Sequence, residues 1–521
     1  MRLTSIDSGV FLLYIVAVLA IGALAARHGQ RTRRDYFLAG DRLPWWMVGG
    51  SIVAANISSH HFVGVMGVAY SRGFAAMTIE WGAILIGFNA LLWVFLPHYL
   101  RSGFYTMPEF LQRRFGNGVR AAFAALILLT YVFVEVSAVL YLGAVALRSL
   151  LGLPLLWSVV ALAAFTGVYT VTGGLRAVVW TEMLQLAVLL CGGLALTVAT
   201  LHRAGGFGAF LATSDTWDLL LPANDPDFPW TQFLGGVLCI SIFYCAANQF
   251  IVQRVLAAKD EWHARMGVVF TDYLKFLMPL LIIVPGLMAP AILPKLEKPD
   301  EVFPQLVRTL LPSGIVGLVM AGLVAAIMSH LSGAVNACTT IATVDFYQPF
   351  LRRGATDEQA VRFGKATGVV VLVVGVWWAT LLAAHSERPV FLYLLNAYGY
   401  FTPGIATMFL LGILWKRATT AGAMAAGALT LPISLWLEWQ WPGMPFMNRT
   451  GIAFWACMAV GMVFSLMTRP RHASELEGLI WTRESLLLPP EMRERMRGLR
   501  SPTLWWAIVT AAVLAFYVRF A

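Results

Sequence analysis

One apolar run in this sequence is interrupted by polar chemistry. The stretch Ala54-Ala55-Asn56-Ile57-Ser58-Ser59-His60-His61-Phe62-Val63-Gly64 sets an amide, two hydroxyls and two imidazoles between "WWMVGGSIV" and "VMGVAY". More ionisable side chains fall inside apolar runs elsewhere: Glu80, Glu135, Glu182, Asp272 with Lys275, His330 and Asp345. At the centre of a membrane helix each costs on the order of 2.5–3.5 kcal/mol even on a lenient insertion scale, so they must face one another or a water-filled cavity. If the helix unwinds near Asn56, the freed carbonyls can be satisfied by a cation or water, and hard cations prefer such oxygens together with hydroxyls. Asn56, His61, Glu80 and Lys275 offer the mixed donors and acceptors that a hydroxylated solute requires. Asp272 lies three residues before Lys275 and could be its partner within one helix. Asp345, ahead of "FYQPFLRR", reads as the anchor of a helix end, and the sequence assigns Glu135 no partner.

The elements that would position these groups are membrane helices. The chain is 59% hydrophobic and 12% charged, with a mean hydropathy of +0.73. A soluble chain of 521 residues cannot bury that much apolar surface. Apolar runs of membrane-spanning length recur at 7–26, 44–70, 76–100, 120–151, 155–173, 177–202, 230–256, 264–292, 303–345, 362–384, 388–415, 418–437, 450–468 and 502–519, which predicts about fourteen helices. The first run ends in "ALAA", but the Arg27–Arg34 cluster that follows argues for a retained anchor helix. The net charge of +10 reports topology and no nucleic-acid partner. With the loop at 27–43 cytoplasmic, alternate loops place most Lys and Arg inside, both termini outside and the Arg-rich 469–500 segment inside.

Two runs break the helical grammar. Segment 44–70 carries Gly49-Gly50 before its polar centre, and segment 230–256 begins with Gly235-Gly236 before "SIFYCAANQFIVQR". Both contain Ala-Ala-Asn, and discontinuous helices at corresponding places of two halves point to a transporter with a midplane site. Between the halves, the loop at 203–229 is rich in aspartate and fits an outward-facing position. Within 469–501, Ser474 and Glu477 have capping-box spacing ahead of "LEGLIWTRESLLL" and predict a cytoplasmic amphipathic helix. The five cysteines lie inside apolar runs and form no CxxC pair. Enzyme chemistry finds little support: His60 and His61 are adjacent, unlike the i, i+4 pair of a zinc helix, and the sequence has no GxxxxGK[ST] loop.

At these residues the sequence resembles the sodium/solute symporter family, most nearly its sodium/sugar cotransporters. The resemblance runs over roughly 10–470 and is densest at "AANISSHHFVG", "IEWGA", "YTMPEFLQRRFG", "SAVLYLGA", "YTVTGGLRAVVWTEMLQ", "NQFIVQRVLAAKD", "DYLKFLMP" and "TPGIATMFLLGILWKR". It implies an all-α membrane protein with a LeuT-like core of two inverted five-helix repeats. These would occupy 44–202 and 230–415, after an anchor helix and loop at 1–43 and before extra helices at 416–521. It also implies uptake of a sugar or polyol by alternating access, with sodium as coupling ion and no enzymatic cofactor. The implied solute contacts are Asn56, His61, Glu80 and Lys275, with Tyr244 as an aromatic gate. The implied sodium ligands are the carbonyls of Ala54, Ile57 and Ala326 and the hydroxyl of Ser329.

Several positions depart from the family pattern. His330 replaces a second sodium-site hydroxyl, and Glu182 stands where an aspartate influences ion coupling. Leu395 replaces a sugar-contacting glutamine, with Asn396 beside it, while Ala83 replaces a serine and Ser241 an asparagine. Because of His330, proton coupling and uncoupled transport stand as alternatives to sodium symport. A membrane sensor or scaffold on the same fold is the alternative of another class.

Overall fold

The computed structural model describes residues 4–27, 32–58, 60–385, 390–486 and 496–520, together with Met492 and Glu494. These residues are almost wholly helical; the only β pairing among them is two isolated bridges, Leu43 with Ala258 and Leu221 with Pro229. Eleven described helices are long and apolar enough to cross a membrane, or twelve if a bent pair counts as one span, against the fourteen expected. The difference lies where helices break. His61–Ser102 and Leu155–Arg203 each hold a non-helical turn, at Gly73 (φ +65°) and Gly174 (φ +54°). The sequence divides the chain at both places, so each counts once as a bent run and twice as separate helices. Trp45–Asn56, at 12 residues, is too short to span alone.

The helix Ile315–Ile341 is buried along nearly its whole length and packs most extensively against Leu155–Arg203. Outer helices instead expose Leu13, Trp157, Val198, Val373, Val463 and Val518. Apolar side chains on that surface are in their proper solvent when the surroundings are hydrocarbon.

Both interrupted helices are broken where the sequence marks them. Trp45–Asn56 ends as Ile57 turns extended (φ −75°, ψ 122°), and the chain re-enters a wider helical turn at His61–Val65. Gly236–Ala247 and Gln249–Leu256 meet at 43° across Asn248, which is also extended (φ −82°, ψ 116°). Each break follows Ala-Ala at the repeated Ala-Ala-Asn. Leu43, entering the first, exchanges backbone hydrogen bonds with the exit of the second: Leu43 N donates to Ala257 O, and Lys259 N to Leu43 O, both at 3.0 Å. The two broken helices therefore run in opposite directions.

Glu261–Phe276 lies against Trp45–Asn56 because two glycines meet. A Cβ on Gly49 would stand 2.4 Å from Gly267 O, a backbone atom that cannot swing aside. This crossing brings Lys275 onto the first break. Gly49→Ala is expected to destabilise the protein by about 1–3 kcal/mol and to reduce transport. Unfolding in detergent checks it, with Gly208→Ala as a silent control because nothing lies within 4 Å of a Cβ there.

The helix expected within 469–501 does not form across the described residues 469–486, while Met492 and Glu494 further on are helical. Glu477 is extended and Gly478 takes φ +73°, which ends any helix there, leaving short turns at Ala473–Leu476 and Arg483–Leu486. The segment is a strap: Trp481 N donates to Ile413 O at 2.8 Å and its indole to Trp93 O at 3.1 Å. At the far end of the first broken span, Arg72 pairs with Asp225 and Asp227 of the aspartate-rich loop.

Candidate functional site

The unwinding at Ile57 leaves Asn56 at a helix end, with its side chain free to turn inward. Lys275 Nζ donates to Asn56 Oδ1 at 2.6 Å and also pairs with the Glu80 carboxylate. His61 Nε2 lies 3.3 Å from Glu80 Oε1, while its Nδ1 accepts the Ser58 amide at 3.2 Å. That amide bond requires the ring proton on Nε2, so the imidazole donates to Glu80. Four residues singled out in the sequence thus form one network, with Lys275 and His61 holding one carboxylate.

Asn56, Glu80, Lys275 and Tyr244 line a cavity of about 100 Å³. His61 does not line it; the ring stands behind Glu80 and fixes the carboxylate, and His60 faces the cavity in its place. Asn396 falls on the helix Val390–Leu414, but its side chain lies outside the described residues. Asp272 is not the partner of Lys275: both its carboxylate oxygens are buried with no hydrogen-bond partner among the described residues.

Three of the residues expected to hold an ion, Ala54, Ala326 and Ser329, meet one another. Ser329 Oγ donates to Ala54 O at 2.6 Å and lies 3.1 Å from Ala326 O, so one hydroxyl joins the broken helix to Ile315–Ile341. His330 turns elsewhere. Its Nε2 is 2.9 Å from Glu135 Oε2, and its hydrogen bonding is to that residue, with none to Ala54 or Ala326. Adjacent positions on a helix point about 100° apart, which separates the two roles. Glu182 also stands apart from the ion set, fully buried in a pair with Arg254, and Ser51 donates to the same carboxylate. Arg254 Nε donates to Ser51 Oγ at 2.7 Å, so the cluster ties both broken helices to Leu155–Arg203. Asp345 anchors a helix end as expected, accepting from Arg120 Nε at 2.7 Å and Thr106 Oγ1 at 3.1 Å.

Sequence reasoning missed the partners of Glu135 and Glu182. His330 is 195 positions from Glu135, and Arg254 is 72 from Glu182, so no local spacing signals either contact. The usable clue was cost: each was a charged group in an apolar run and needed an opposite one.

Two oppositely directed broken helices meeting at a buried polar cavity within a membrane bundle define a secondary transporter. Residues 36–430 match the model of the sodium:solute symporter family. The chain is 34% identical over 502 residues to a sodium/glucose cotransporter of Vibrio parahaemolyticus, covering 89% of this chain and 91% of that one. It is 33% identical over 556 residues to a sodium/myo-inositol cotransporter of Mus musculus, covering 93% and 76%. Its fold is similar to a solved Na+-coupled sialic acid symporter, with a TM-score of 0.80 at 22% identity over 90% of this chain and 99% of that one. This chain belongs to the sodium:solute symporter family. It has the LeuT-like transporter fold, and it is a sodium-coupled carrier, not an enzyme.

Proposed function

We infer that this protein takes up a sugar or related polyol by sodium symport through alternating access. The observation that carries the reading is the Asn56–Lys275–Glu80–His61 network, of which Asn56, Glu80 and Lys275 line one cavity, while Ser329 bonds the carbonyl of Ala54, two residues before Asn56. A hydroxyl of the solute would exchange with the bonds these side chains now make to one another, and Tyr244 would offer its ring as an apolar wall. Sodium would lie at the carbonyls of Ala54, Ile57 and Ala326 and the Ser329 hydroxyl. The names of the relatives, which carry glucose and myo-inositol with sodium, support the same solute class. The repeats would be 44–202 and 230–415, moving against each other about the site.

Purified protein in proteoliposomes tests this reading with labelled D-glucose, D-galactose and myo-inositol under an imposed sodium gradient, then under a pH gradient. Accumulation driven by sodium is expected. Uptake indifferent to sodium but driven by protons would transfer the coupling role to another ion. Ser329→Ala is expected to raise the sodium concentration for half-maximal uptake about tenfold, the loss of roughly 1.4 kcal/mol of ligation. A sodium titration of uptake checks it.

The proposed location is the plasma (inner) membrane, with both termini extracytoplasmic. The distribution of Lys and Arg among the loops supports it. A cysteine introduced at Asp227 should react with an impermeant thiol reagent from outside whole cells, and one at Arg353 should not.

A further inference from the structure

The same cavity has a second polar face that the network above does not use. Glu135 and His330 both line it, and each side chain is only 3% exposed. Their positions are arranged by the fold: Glu135 sits in a widened helical turn, Tyr131–Val136, and such turns rotate a residue out of its regular register. His330 comes from Ile315–Ile341, which is buried along nearly its whole length. His330 Nε2 meets Glu135 Oε2 at 2.9 Å, whereas His330 Nδ1 is buried with no hydrogen-bond partner among the described residues. A pair that serves packing alone has its polar atoms satisfied in a dry interior. This pair borders a cavity and leaves one ring nitrogen without a partner.

The geometry points to a second solute subsite, in which His330 and Glu135 bind hydroxyls at the end of the molecule opposite to that held by Lys275 and Glu80. The inference rests on the sugar or polyol reading above. With Nε2 donating to Glu135, Nδ1 of the neutral ring is an acceptor, and the carboxylate is a second one. This face therefore recognises hydroxyl donors, while the Lys275 and Glu80 face supplies both a donor and an acceptor. The ligand class that satisfies both is a ring polyol, a hexose or a cyclitol, with hydroxyls on opposite sides. A site that bonds a hydroxyl strongly rejects the analogue lacking it, because its own buried groups are then unpaired.

The test is competition against sodium-driven uptake of D-glucose, D-galactose or myo-inositol by a panel of their monodeoxy analogues. The wild-type protein should reject analogues lacking a hydroxyl at either end, by about tenfold or more for each. In Glu135→Ala or His330→Ala, rejection should vanish for one set of positions and persist for the other, with the KM of the parent solute raised. Glu135→Gln and His330→Asn serve where the alanine variants fail to fold, as judged by sodium-linked thermal stabilisation, and should retain partial discrimination. Variants that transport with an unaltered ranking and KM would overturn the second subsite while leaving the sugar reading intact. A wild-type protein that carries no sugar or polyol would overturn both.

Discussion

Glu80→Gln is expected to lower sugar uptake by about a hundredfold or more at unchanged expression. The carboxylate is held by Lys275 and His61, and Lys275 is almost fully buried. Breaking a buried ion pair from one side typically costs about 3–5 kcal/mol, because the remaining charge is left uncompensated. The amide also replaces a charged acceptor at the cavity wall with a weaker one. Transport of labelled sugar and unfolding in detergent separate the two effects. The double variant Glu80→Gln with Lys275→Met should regain most of the stability, since no lone charge remains, yet stay inactive, since both charged groups of the cavity wall have changed. Wild-type uptake by Glu80→Gln would remove this network from the transport path.

Arg254→Met should be destabilised by about 3–5 kcal/mol. Glu182 is fully buried, and its remaining contact would be the Ser51 hydroxyl. Replacing both members, Glu182→Met with Arg254→Met, should recover most of that loss, because a buried pair exchanged for apolar groups of similar volume is often neutral in stability. Denaturation of the three proteins in the same detergent checks the ordering. A single variant as stable as the double one would show that Glu182 finds another partner.

The fold was legible in the sequence to the extent that it follows from hydrophobic runs and from breaks within them. The repeated Ala-Ala-Asn marked both discontinuities, and each lies at the turn of the chain. The helix count depends on the bends at Gly73 and Gly174, where the sequence divides the chain and the helical runs resume directly after a single non-helical residue. The strap after 469 was misread because a capping-box spacing does not register the positive φ that Gly478 adopts one residue later. Within the site, residues on and near the first break were readable from their cost in lipid. The direction each side chain faces was not. Ser329 and His330 are neighbours in sequence, yet one meets a carbonyl of the broken helix and the other the Glu135 carboxylate beside it on the cavity wall.

The hydroxyl of Ser329 also bears on how firmly a cation is held. Its hydrogen lies toward Ala54 O, one of the oxygens a sodium ion would claim. A sodium ion bound there would have to turn that hydrogen away, and its departure would let the hydroxyl swing back to Ala54 O. Giving up one neutral hydrogen bond costs about 0.5–1.5 kcal/mol, which weakens ion affinity by roughly twofold to tenfold. At an ion site built on these oxygens, the rotor would favour prompt unloading over tight retention.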